Sequence, residues 1–74
     1  MGKLRVLSGR EVCDLLKDNG FTFVRHGKGD HDIHQKQTDD GTITVPVPMH
    51  REIAVGTLTS IIRQSGLPRS VFES

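Results

Sequence analysis

Apolar residues recur at helical spacing near both ends of this chain and at alternating spacing between them. In the first stretch Val12, Leu15 and Leu16 fall three and four apart, as on the buried stripe of a surface helix. Ser8 and Glu11 have capping-box spacing, and Leu7, just before the cap, is placed to staple onto Val12. Asn19-Gly20 supplies a left-handed stop, after which Phe21 can fold back onto Leu16. From 21 to 26 the period becomes two, with Phe21 and Phe23 on one side and Thr22 on the other, as a half-buried strand requires. After the turn Gly27-Lys28-Gly29-Asp30, a second strand from 31 to 36 alternates around Ile33. Thr38-Asp39-Asp40-Gly41 then turns the chain into a third strand, Thr42-Ile43-Thr44-Val45. Pro46 and Pro48 are expected to end it, since proline cannot donate to a central ladder. A second helix follows over 54–65, with the stripe Leu58, Ile61 and Ile62; Gly66 stops it and Leu67 can contact Ile62 across the stop. Pro68 opens one more short turn.

This order, α-β-β-β-α, predicts an α+β domain: a three-stranded antiparallel sheet with two helices packed on one face, the outline of a double-stranded-RNA-binding fold. With no repeats, linkers or low-complexity tracts, 1–74 reads as a single domain. At 74 residues such a chain buries only about 60% of its unfolded surface, so modest stability is expected. The single Cys13 cannot form an internal disulfide and has no CxxC partner, for which a reducing cytoplasm is the simplest setting. No apolar run has the length of a signal or membrane segment, so no membrane partner is expected. A net charge of +1 means that nucleic-acid binding must come from a local patch. Three Phe and no Tyr or Trp argue against a base-stacking platform of the OB or RRM kind.

The stretch with most chemistry is Gly27-Lys28-Gly29-Asp30-His31. The glycines let a phosphate approach the backbone, Arg25 and Lys28 add positive charge, and His31 brings an imidazole that titrates near neutrality. Metal-free RNA cleavage needs a base for the ribose 2′-hydroxyl, an acid for the leaving 5′-oxygen, and cations for the charge on the phosphorane. One histidine serves one of these proton roles at a time. Alternation puts His31 on the side of Ile33, toward the helices, where partial desolvation would lower its pKa and favour a neutral base. Arg25, Lys28 and Gly29 are the candidate RNA contacts, against the plain alternative of solvated turn residues; His50 is a weaker candidate. Asp30, Asp32 and His34 alternate onto the other face and could hold a metal only with long reach, so they read better as a wet sheet face, and no metal or other cofactor is expected. Cys13 reads as a small apolar residue, because nothing near it in sequence would lower its pKa.

Ser8-Gly9-Arg10-Glu11-Val12, Asn19-Gly20-Phe21, Gly29-Asp30-His31, Val45-Pro46-Val47 with His50, and the run from Gly56 to Leu67 together resemble HicA-type toxins over nearly the whole chain. The resemblance implies the toxin of a type II toxin–antitoxin pair, with a double-stranded-RNA-binding-like fold. It further implies an endoribonuclease cutting mRNA in the cytoplasm without a cofactor, a single essential histidine at His31, and a HicB-type antitoxin that covers the site and through which alone DNA would be reached. In that motif serine commonly stands where this chain has Asp30, and a second histidine or another residue where it has Asp32, so this copy is more acidic than usual. The competing readings are a non-catalytic RNA-binding module of the same fold and a domain that binds only another protein.

Overall fold

In the computed structural model, which describes residues 2–74, the chain runs α1 (Gly9–Asp18), β1 (Thr22–His26), β2 (His31–Thr38), β3 (Gly41–Pro48), α2 (Val55–Ser65) and a closing 3₁₀ turn (Arg69–Phe72). The strands form one antiparallel sheet in the order β1-β2-β3, and the elements expected from the sequence are all present.

Local chemistry sets the helix ends. Ser8 Oγ accepts from the Glu11 N–H at 3.1 Å while the Glu11 carboxylate accepts from the Ser8 N–H at 2.9 Å, completing the capping box. These bonds to Ser8 hold the Glu11 carboxyl below the usual carboxylate range. At the other end Gly20 takes φ 94° and the Phe21 N–H returns to the Leu16 carbonyl at 2.9 Å. Helix α2 closes on Gly66 at φ 70°, but Ala54 at its N-cap offers no side-chain bond.

The core lies between the helices and one face of the sheet. Val12, Cys13 and Leu16 of α1 and Leu58 and Ile61 of α2 meet Val45 and Val47 of β3. Phe72, which has no place in the sequence pattern, is fully buried on the 3₁₀ turn. Its carbonyl accepts from the Arg5 N–H at 2.9 Å, and Leu4 bridges to Glu73, so both ends of the chain are tied to the core.

Three expectations need correction. Strand β3 does not end at Val45 but runs through Pro46 and Pro48. It is an edge strand, and the two prolines share a parity, so both donor-less nitrogens point out from the sheet where no partner is required. Strand β1 is not half-buried: all five of its residues are exposed, with Phe23 at 43%. It too is an edge, and a bulge between Phe23 and Arg25 interrupts its alternation. Finally, the faces of β2 are the reverse of those expected. His34 pairs with Val45 and Asp32 with Val47, so Asp32, His34 and Lys36 share the helix-facing side, while His31 and Ile33 lie on the other.

Gly9 lies where α1 crosses the end of β3. A Cβ there would sit 2.3 Å from the Pro48 carbonyl oxygen and 2.7 Å from Met49 Cα, too close for any side chain. The contact lets the Gly9 N–H reach the His50 carbonyl at 2.9 Å; next to it the Ile53 N–H reaches Leu7 at 2.8 Å and the Met49 N–H reaches Asp30 at 2.7 Å. At Gly56, in α2, an added Cβ would meet nothing within 4 Å. Helix propensity alone would make alanine better at both places by up to about 1 kcal/mol. Gly9→Ala is therefore expected to destabilise the domain by roughly 2 kcal/mol or more, and Gly56→Ala to be neutral or stabilising, as read by urea denaturation. A stabilised Gly9→Ala would show that this crossing is not tight.

Candidate functional site

The β1–β2 connection is built by two glycines with different duties. Gly29 takes φ 65°, a left-handed conformation costly for other residues. Gly27 lies flat on Ile33, where an added Cβ would stand 3.0 Å from the Ile33 Cδ1. The Gly27 N–H closes the loop on the His31 carbonyl at 2.7 Å. His31 is thus fixed at the first position of β2, opposite Pro48, with its side chain exposed.

His31 belongs to the walls of two hollows. One, of about 300 Å³, is shared with His50, Glu52, Ala54 and Thr57. The other, of about 360 Å³, is shared with His26, Gly29, Asp30, Asp32 and Met49. Both are at the small end of the range for ligand sites. The start of α2, with no side-chain cap, contributes Ala54 and Thr57 to the first hollow, so the positive end of the helix dipole is turned toward it. In the second hollow the His26 Nδ1 lies 2.7 Å from the Asp32 Oδ1; the histidine side chain is 80% exposed and the aspartate 18%. The Phe23 ring meets His26 edge-on, with centroids 5.2 Å apart.

The residues singled out in the sequence are only partly gathered here. Gly29 lines a hollow with His31. Arg25, opposite Ile33, shares the sheet face of His31, and Lys28 projects from the turn; both are exposed and neither lines the hollows. His50 lines the first hollow together with His31. His31 is not packed beneath the helices as expected: its side chain is exposed at the first position of β2. Nor do Asp32 and His34 form a wet face: Asp32 is half-buried and His34 is 1% exposed. Among the described residues no group of three or more His, Cys, Asp and Glu is placed to hold a metal. Cys13 is buried beside Met49, with 3.8 Å between sulfurs, and burial pushes its thiol up to about 11, out of range for a nucleophile at neutral pH. The His26–Asp32 pair is absent from the sequence reading. The signal available is a histidine and an aspartate flanking one short turn, but the closing register of that hairpin depends on the bulge.

His34 is a buried cost to the fold. Among the described residues neither ring nitrogen has a partner in hydrogen-bond geometry, and burial, then the charge of Lys17, pushes its pKa below the ordinary 6.5, partly offset by the backbone and carboxylate of Asp32. As pH falls through 6.5 the unfolded chain takes up this proton before the folded one does, so stability present above 6.5 is lost on acidification. The loss is at most about 1.4 kcal/mol per pH unit, until the folded ring also protonates. Replacing His34 with Leu is expected to flatten the fall of melting temperature between pH 6.5 and the acid limb. Parallel curves for the two proteins would contradict this.

A family model described as HicA toxin of bacterial toxin-antitoxin matches residues 9–67, from the α1 crossing to just beyond α2. A search of curated proteins finds no match. No helix among the described residues is long and apolar enough to cross a membrane.

Proposed function

The chain belongs to the HicA toxin family of bacterial toxin–antitoxin systems, and from that premise we propose that it is a metal-independent endoribonuclease, cutting mRNA in the cytoplasm with His31 as its catalytic acid/base. The observation that carries this is the exposed imidazole of His31, at the start of β2 between two hollows. There an RNA strand can lie with the ribose on one side and the leaving nucleotide on the other. His31 takes the 2′-hydroxyl proton as the 2′-oxygen attacks phosphorus. Gly29 admits the phosphate close to the backbone, and the uncapped start of α2 supplies a positive field at the first hollow. Arg25 and Lys28, exposed beside the turn, contact flanking phosphates and so position the strand rather than read it.

His31→Ala should lower RNA cleavage by about 10²–10⁴-fold with an unchanged melting temperature, since the side chain is exposed. Cleavage by the wild type should survive excess EDTA. RNA binding retained by His31→Ala while cleavage disappears separates the enzyme from an RNA-binding module of the same fold. Undiminished cleavage by the variant, or loss on chelation with recovery on adding Mg²⁺, would overturn the assignment.

The partner expected of such a toxin is a HicB-type antitoxin, and we propose that it acts by covering His31. A domain of this size with one core offers little room for a two-state element to carry inhibition from afar. Acidic or polar groups of the antitoxin would meet Arg25 and Lys28, favouring both rate and register of docking. Amide hydrogen exchange should show the largest new protection over 25–33 in the complex, with RNA displaced. Protection confined to the helices with RNA still bound would exclude occlusion.

A further inference from the structure

Cleavage through the 2′-hydroxyl moves two protons on opposite sides of phosphorus, and a single histidine cannot attend both in one step. The hollow that His31 shares with Gly29 contains a second imidazole, His26. We infer that His26, held by Asp32, is the proton donor to the leaving 5′-oxygen while His31 acts on the 2′-hydroxyl; the inference rests on the endoribonuclease reading above.

Three features set His26 apart from a surface histidine. Its Nδ1 lies 2.7 Å from the Asp32 Oδ1. A carboxylate only accepts, so Nδ1 carries the hydrogen of that bond and Nε2 is the nitrogen left for substrate. Second, the bulge between Phe23 and Arg25 turns His26 to the side of Asp32, and the edge-on Phe23 ring packs beside the imidazole. Third, the ring stays open to a large substrate, its side chain 80% exposed. Around it stand Asp32 of β2, Asp30 and His31 at the loop end, and the uncharged Met49 from the segment after β3; Arg25 of its own strand lies across the sheet with Ile33. In the step the 2′-O–P bond forms as the P–O5′ bond breaks. The 2′ proton ends on His31 and the proton leaving His26 ends on the 5′-hydroxyl.

The test uses two forms of one RNA, an ordinary strand and one with a bridging 5′-sulfur at the mapped cleavage position, whose thiolate departs without protonation. His26→Gln should cut the ordinary RNA about 10²–10⁴-fold more slowly and lose the alkaline limb of its kcat/KM profile, while cutting the sulfur-bridged RNA near the wild-type rate. Asp32→Asn should show the same pattern in weaker form, and melting temperatures should confirm that both variants fold. Equal losses on the two RNAs, or no loss on either, would overturn the proposal. His31→Ala should fail on both; if it cleaved both while His26→Gln retained its selectivity for sulfur, the assignment of His31 would fall and that of His26 would stand.

Discussion

The missing side chain of Gly9 is the constraint on which the site is built. It allows the start of α1 to rest on the backbone of Pro48 and Met49. Three main-chain hydrogen bonds, from Gly9 to His50, Ile53 to Leu7 and Met49 to Asp30, then join segments far apart in sequence. The β1–β2 turn, the end of β3 and the approach to α2 become one rigid rim. His31 needs no buried partner to hold its place, because its neighbours on every side are fixed through backbone groups whose bonding does not depend on side-chain identity.

The second constraint is parity. In a strand a shift of one residue sends every side chain to the other face, and the bulge in β1 makes such a shift halfway along it. Before the bulge Phe23 lies with His34 on the helix side; after it Arg25 lies with Ile33 on the open side and His26 with Asp32. Without the extra residue Arg25 would take the helix side and His26 would face away from Asp32. The same parity buries His34, whose unpartnered nitrogens are a cost the fold carries beside its candidate site.

Much of the architecture is legible in the residues because its signals are local. Ser8 with Glu11, Gly20 and Gly66 mark helix ends by bonds and dihedrals that span six residues or fewer, and the Thr38–Gly41 turn is equally self-contained. What the residues misstate depends on contacts between distant segments. Ile33 suggests that its side of β2 faces the core, yet it is covered by Gly27 across the hairpin, while the helices lie over His34. A histidine at a core position gives no apolar signal, so periodicity selects the wrong face. Phe72 escapes notice because a lone aromatic in a terminal turn has no period at all. For the candidate site, glycine-rich turn chemistry is enough to locate His31 and Gly29 in the sequence; His26 and Asp32 come together only through the bulge.

The chemistry proposed for this rim is transfer within the substrate, in which the ribose oxygen rather than water would displace the leaving nucleotide and protein side chains would move the protons. Hydrolysis by a bound hydroxide would instead leave the ribose hydroxyl out of the reaction. The ends of the cut RNA separate these directly. Purified protein freed of its antitoxin, acting on a single defined RNA, should yield 5′-hydroxyl and 2′,3′-cyclic phosphate termini by mass spectrometry; 5′-phosphate and 3′-hydroxyl termini would contradict the account.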